Sequence, residues 1–232
     1  MSNIKLSKRL ECIISNVKSG GIVADIGCDH AFTSICLVER KLAKGAIAMD
    51  INKEPLKRAK KHITQAGMEE YILTRLSDGA EELKEGEADT ILISGLGGGL
   101  MTDILAKSLN TIKTSKELVL SPQSEIYLVR HFLHNNGFKI VHEDMVKEQG
   151  KFYVIIRAVP GEEHYKEEAG YIYGGYLIDH KNQILKEFLI KEQKRIKTVL
   201  DSLNNKSMTQ EKRKGTLLKE YNMIKGILYK IS

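Results

Sequence analysis

Cysteines, apolar runs of membrane length and paired metal-ligand spacings are all scarce in this chain. Its 232 residues include three cysteines. These are Cys12, Cys28 and Cys36, with no C-x-x-C and no paired Cys/His spacing, so neither a disulfide framework nor a metal site is expected, and a reducing cytoplasmic location fits. No segment approaches the ~20 consecutive apolar residues of a membrane span. Met1 to Ser15 reads as an amphipathic helix without an apolar h-region or a small-residue cleavage site, so no signal peptide is expected.

What remains is ordinary for a soluble globular protein: 42% hydrophobic and 28% charged residues, in a chain long enough for one sizeable core plus an appendage. The net charge of +6 and the isoelectric point near 9.0 permit an anionic partner such as nucleic acid without requiring one. No obligate protein partner is evident.

The hydrophobic pattern alternates between strand and helix. Leu6, Leu10, Ile13, Ile14 and Val17 recur at helical spacing. Strands are expected at 22–26, 46–49, 71–76, 90–94 and 117–120. Helices are expected at 33–40, 54–65, 101–109 and 125–135. Phe138–Val146 and Phe152–Val159 flank Gln149-Gly150 as a closing hairpin. This predicts an α/β fold whose mostly parallel sheet is covered on both faces, with one antiparallel strand at its edge. Composition shifts near Pro160-Gly161. Beyond it, Leu185, Leu189, Ile196, Leu200 and Leu203 form one stripe, and Leu217, Tyr221, Ile224, Leu228 and Ile231 form a heptad-like seam. Asn204-Asn205 breaks the pair, and Ser207 with Gln210 fits a capping box. Two domains are therefore expected: residues 1–160, and a coiled-coil-like helical hairpin over residues 161–232.

In an open parallel sheet the ligand sits beyond the carboxyl ends of the strands. Every unusual loop of this chain falls at such an end. Asp25-x-Gly27-Cys28-Asp29-His30-Ala31 follows the first strand and Asp50-Ile51 the second. Ser77-Asp78-Gly79 follows the third, and Ser94-Gly95-Leu96-Gly97-Gly98-Gly99 the fourth. One D-x-G occurs often by chance, and each acid alone is also explained as a helix cap or turn residue. Four such loops at successive strand ends converge in space. A dinucleotide would need the glycines of G-x-G-x-x-G, but here Asp29 occupies the second glycine slot and would face the pyrophosphate. S-adenosylmethionine has no phosphate, and its sulfonium and amino group favour nearby carboxylates. Asp25, Gly27, Cys28, Asp50, Ile51, Ser77, Asp78, Gly79, Ser94 and Gly95 form the expected cofactor set. Asp50 would accept the ribose hydroxyls and Asp78 the adenine amine. The glycine loop lacks the D/N-P-P-Y/F sequence that grips an exocyclic amine, which argues against an exocyclic amine as target.

At these residues the chain resembles the bacterial tRNA (adenine-22)-N1-methyltransferases. The resemblance runs through Leu6-Ser7-x-Arg9-Leu10, Asp25–Ala31, Asp50 with Asn52, Ser94–Gly98 and the helical tail after Tyr173-Gly174. It implies a Rossmann-like class I methyltransferase sheet with a C-terminal coiled-coil domain. It also implies methylation of N1 of an adenine in the tRNA D-arm. The chain departs from the family pattern at Phe32-Thr33-Ser34, at Leu96 and at Ser121-Pro122-Gln123, all in loops expected to border the target base.

Transfer from a sulfonium is an in-line displacement that needs nucleophile and methyl about 3 Å apart in a dry pocket. N1 of neutral adenine has a lone pair, so no base is needed, and a carboxylate near the purine would stabilise the cation that forms. Asp29 is the expected catalytic residue. His30 would orient it or contact the base, or is simply a helix-start residue. Phe32, Leu96, Gly97, Gly98 and Pro122 are expected around the target, with Phe32 stacking or merely core. N1 lies on the pairing edge, so the base must be unpaired or flipped out. Lys194, Arg195, Lys212 and Arg213, among other cations of the hairpin, would grip tRNA phosphates. Intervening acids such as Glu187, Glu192 and Glu211 fit a solvated face equally well. Alternatives are a methyltransferase acting on another RNA, a protein or a small molecule, and a non-catalytic RNA-binding module.

Overall fold

A computed structural model describes residues 4–203 and 208–232. The break at Asn204-Asn205 and the capping box headed by Ser207 lie outside the described residues. The chain divides into two compact units, Met1–His164 and Tyr165–Ser232.

The first unit opens with α1 (Lys8–Asn16), capped by Ser7, whose Oγ accepts from the Leu10 N–H at 3.3 Å. Then β1 (Ile22–Ile26), α2 (Phe32–Glu39), β2 (Gly45–Asp50), α3 (Lys53–Ala66) and β3 (Ile72–Leu76) alternate. They are followed by β4 (Thr90–Ser94), α4 (Gly98–Lys107), α5 (Leu109–Lys113), β5 (Glu117–Ser121), α6 (Ile126–Asn135), β6 (Phe138–Glu148) and β7 (Lys151–Pro160). Pro55 sits in the first turn of α3, where its missing N–H costs no helical bond.

The strands form one sheet in the order β3-β2-β1-β4-β5-β7-β6. Neighbouring strands are parallel from β3 to β5. β7 runs antiparallel to both β5 and β6, so the closing hairpin forms one side of the sheet with β6 outermost. The central strands read as near-continuous apolar runs because both faces are covered. Ile13, Ile35 and Ile63 from α1, α2 and α3 join Val23, Leu92 and Val119 in a core on one face, while α4 and α6 pack together. The order reverses between β1 and β4, which makes the carboxyl ends of these strands the switch point where a ligand crevice opens.

At the opposite end of the sheet, Glu117 is buried and its Oε1 accepts from Lys18 N at 2.8 Å, Ser19 N at 2.9 Å and Thr90 Oγ1 at 2.9 Å. Residues 161–164 belong to the first unit for a local reason. Gly161 N donates to Gly137 O, and Glu163 accepts from both Ile140 N and His134 Nε2.

The second unit contains α7 (Glu168–Tyr173), α8 (Gly175–Asp179), α9 (Gln183–Ser202) and α10 (Met208–Ile231). The sequence pattern missed α5, α7 and α8, each too short to show helical periodicity. Asn182 caps α9 by accepting from Ile184 N and Leu185 N, each at 3.0 Å. Leu185, Leu189 and Ile196 of α9 are buried, as are Ile224, Ile227 and Ile231 of α10. The seam therefore passes through Ile227, which the step-counting missed, with Leu228 only partly covered.

Candidate active site

Two hollows open at the switch point. The first, of about 340 Å³, has Asp25 and Gly27 at its base, Asp29, His30 and Phe32 along one wall, and Ser94, Gly95 and Leu96 along another. The second, of about 290 Å³, is bordered by Asp50, Ile51, Ser77, Asp78 and Gly79, with Leu100 and Ile104 opposite. Gly27 and Leu96 border both hollows, so the two are neighbours there. Gly27 has φ +75, and a Cβ built on it would meet nothing within 4 Å. Its bare backbone faces open space, the surface a close-lying ligand needs.

The acids differ in how they are held. Asp25 is buried, with Ser34 Oγ donating to its Oδ2 at 2.6 Å, and burial pushes its pKa up to about 6. Asp50 Oδ1 accepts from Asn52 N at 2.9 Å in the turn that leads into α3. Asp78 pairs with Lys107 Nζ at 3.1 Å. Burial pushes the Cys28 thiol well up, with Asp25 and Asp50 adding to the shift, so it stays protonated.

Asp29 stands on a strained turn. Its φ is 45 and that of Ala31 is 56, both in the left-handed region. Its Oδ1 is 2.6 Å from Arg58 Nη2 on α3, and its Oδ2 is 3.5 Å from His30 Nε2. Nothing near Asp29 in sequence signals Arg58. The pair weakens the repulsion expected between Asp29 and a pyrophosphate, so the case against a dinucleotide shifts to Asp25 and Asp50. His30 stacks on Phe32 with ring centroids 5.2 Å apart and planes 11° apart, and His62 of α3 tilts onto Phe32 at 4.8 Å. His62 Nδ1 lies 3.1 Å from the His30 carbonyl oxygen.

Residues placed near the target by sequence separate into two groups. Phe32 and Leu96 border the first hollow. Pro122 is instead buried and borders neither hollow, and the neighbouring Gln123 faces the first. Gly97 caps α4, and Gly98 is a packing residue, because a Cβ there would lie 2.7 Å from Ser124 O and collide with Glu125 O. Ser77 Oγ is occupied in its own loop, donating to Gly79 O at 2.9 Å and accepting from Glu82 N at 3.2 Å. Lys194, Arg195, Lys212 and Arg213 all lie exposed on α9 and α10, with Arg195 Nε paired to Glu192 at 2.7 Å.

Arg9 was missed as a site residue. It borders the first hollow, its guanidinium lies 5.3 Å over the Tyr153 ring, and its buried Nη1 has no hydrogen-bond partner among the described residues. A Cβ on Gly95 would be 3.7 Å from both Arg9 Nη1 and Gln123 Nε2, so the three converge on one point. A buried orphan guanidinium nitrogen is costly unless an acceptor completes it. The signal available was Arg9 at mid-turn of an apolar helical face.

Among the described residues no group of three or more His, Cys, Asp or Glu could hold a metal ion, and no helix is long and apolar enough to cross a membrane. The methyltransferase domain family matches residues 6–156. The tRNA (adenine(22)-N(1))-methyltransferase of Bacillus subtilis is 30% identical over 216 residues, covering 91% of both chains. This chain belongs to that methyltransferase family. The crystal structure of the B. subtilis M1A22 tRNA methyltransferase TrmK superposes with a TM-score of 0.87 at 27% identity, covering 97% of this chain and all of that one. The M. capricolum TrmK structure in complex with S-adenosyl-homocysteine gives 0.85 at 26% identity, covering 98% of this chain and 99% of that one. The family likeness thus extends across both units.

Proposed function

We propose that the protein transfers a methyl group from S-adenosylmethionine to N1 of adenine 22 in tRNA, with chemistry in residues 1–160 and tRNA contacts contributed by residues 161–232. The observation that carries this is the adjacent pair of hollows at the switch point, ringed by Asp25, Asp50 and Asp78, in a chain of this family. A tRNA substrate fits a cytoplasmic location.

The donor fits the residues present. Asp50 keeps one carboxylate oxygen beyond the one that accepts from Asn52, suited to ribose hydroxyls. Ile51, Leu100 and Ile104 supply apolar surface for an adenine ring, with Asp78 beside them. Gly27 leaves room for a sulfonium chain, Asp25 suits an amino group, and Arg9 Nη1 suits a carboxylate. The bound donor supplies an electrophilic methyl on a positively charged sulfur.

The chain's own part is to position and to exclude water. Phe32, backed by His30 and His62, offers an aromatic face to a flipped base. Asp29, steadied by Arg58, places negative charge beside the purine as it becomes cationic. No general base is required, since N1 carries a free lone pair. The test is incubation with labelled donor and unmodified tRNA, followed by nucleoside identification. 1-Methyladenosine at a single D-arm position is expected; a 6-methyladenosine product overturns the proposal.

A further inference from the structure

α3 is the most lopsided helix of the first unit in charge. It carries Lys53, Lys57, Arg58, Lys60 and Lys61 against the single acid Glu54. By contrast α9, the helix expected to grip tRNA, interleaves Glu187, Glu192 and Asp201 with its lysines. At about 100° per residue, Lys60, Lys53, Lys57 and Lys61 fall within an arc of roughly 100°. Ala59 and Ile63, buried, lie on the other side. All four lysines are exposed. Lys57 spends its charge partly on Glu54 at 2.7 Å. Lys53, Lys60 and Lys61 have no carboxylate partner among the described residues.

A solvated lysine face is common, and charge alone would not single this one out. Its placement does. Going round the helix from Lys61, Glu54 and Gln65 come next, and then Arg58 and His62. Arg58 holds Asp29, and His62 contacts Phe32 and the His30 carbonyl. The lysine face is thus separated by Glu54, already paired with Lys57, and by Gln65 from the two residues that back Asp29 and Phe32 in the wall of the first hollow. A polyanion lying along α3 would present its neighbouring base to that hollow.

We propose that Lys53, Lys57, Lys60 and Lys61 form a docking face for the phosphate backbone of the tRNA strand that flanks the target nucleotide. This rests on the tRNA reading above and adds to it a second contact surface, inside the catalytic unit. A phosphate track next to the hollow fixes the register of the strand and offsets part of the cost of unstacking the base.

The test uses the full-length protein and a triple variant, Lys53→Ala/Lys60→Ala/Lys61→Ala, with tRNA affinity measured across a salt series beside steady-state methylation. Each lost phosphate contact lowers the log–log salt slope by about 0.7–0.9, so the triple variant should lose about 2 to 3. Affinity at about 0.1 M salt should fall at least tenfold. The melting shift given by S-adenosylhomocysteine should be unchanged, which also reports that the variant folds. Single lysine variants, each with a slope loss near 0.9, serve if the triple does not fold. Unchanged tRNA affinity and slope overturn the proposal, as does weaker binding with an unaltered slope. Had the face evolved for an acidic protein, the first of these results would be seen. If the wild type binds tRNA through α3 but produces no methylated nucleoside, the docking face stands and the enzymatic reading falls.

Discussion

The two ends of the sheet treat their acids in opposite ways. At the amino end, Glu117 gathers two backbone N–H donors and the Thr90 hydroxyl onto one oxygen. Asp89 accepts from Ile22 N at 2.9 Å and pairs with Lys116 at 2.8 Å, and both hold its carboxyl below its usual range. At the carboxyl end, buried Asp25 has a single side-chain donor and its pKa is driven upward. Asp50 gives one oxygen to a turn, and Asp29 and Asp78 are half-exposed beside cations from distant helices. A carboxylate on this sheet serves as a structural tie where its hydrogen bonds are saturated. Where they are left incomplete, it is available to a ligand.

The sharpest way to break this contrast is Glu117→Ala. It strands the Lys18 and Ser19 N–H groups and leaves the Thr90 hydroxyl only Ser19 Oγ, and loss of about 3–5 kcal/mol of stability is expected in urea melts. A loss under about 1 kcal/mol would show that the amino-end acids are not ties.

Asp50→Ala should do the reverse. Donor affinity by calorimetry should drop about ten- to hundredfold, as for lost hydrogen bonds to a charged group. Stability should fall by only about 1 kcal/mol, the worth of the one hydrogen bond it accepts in the turn before α3. Unaltered affinity would remove Asp50 from the donor site.

Asp25→Asn sharpens the comparison through pH. The folded pKa is raised, so the folded state holds a proton that the unfolded chain releases. Ionisation of Asp25 therefore costs stability as pH rises from about 4 to about 6, and the full cost is present above that window. Asparagine can still accept from Ser34. The variant should be more stable than the wild type by about 2 kcal/mol at pH 8, with the gain vanishing toward pH 4. A gain independent of pH would sink this account. Donor binding to the wild type should weaken below about pH 6, as the carboxylate proposed for the amino group is protonated.

The smallest effect on stability is expected for Arg58→Ala, because its pair with Asp29 is exposed and worth under about 1 kcal/mol. Turnover should nonetheless fall about tenfold, as Asp29 loses its orientation. Arg58→Lys should restore part of it. Equal turnover in all three proteins would make the pair incidental.

The fold was largely legible because β1, β2, β4 and β5 are short, mostly apolar runs and each of β1 to β4 ends in a polar or glycine loop. The position of β7 between β5 and β6 was not, since strand order within a hairpin leaves no local trace. In the site, Asp25, Gly27, Asp50 and Asp78 could be read because each stands at a strand end. Arg58, His62 and Arg9 were harder to read: Arg9 reaches the hollow, and Arg58 and His62 back its wall, from helix faces, where periodicity shows burial and not direction. Pro122 was misplaced for a related reason. A loop's neighbourhood can be inferred from its strand, but which of two adjacent residues faces outward depends on backbone torsion, and here Gln123 does.

The left-handed backbone at Asp29 has an evolutionary corollary. Glycine adopts that conformation without the cost, of order 1 kcal/mol, borne by a residue with a Cβ. At Ala31 burial in the core opposes such a change, but Asp29 is half-exposed and has no comparable counterweight. Laboratory selection for survival on heating alone would therefore favour glycine at position 29, whereas selection for methylated tRNA would restore the acid. Alternating the two regimes on one library would turn this single codon into a readout of which demand the population is meeting.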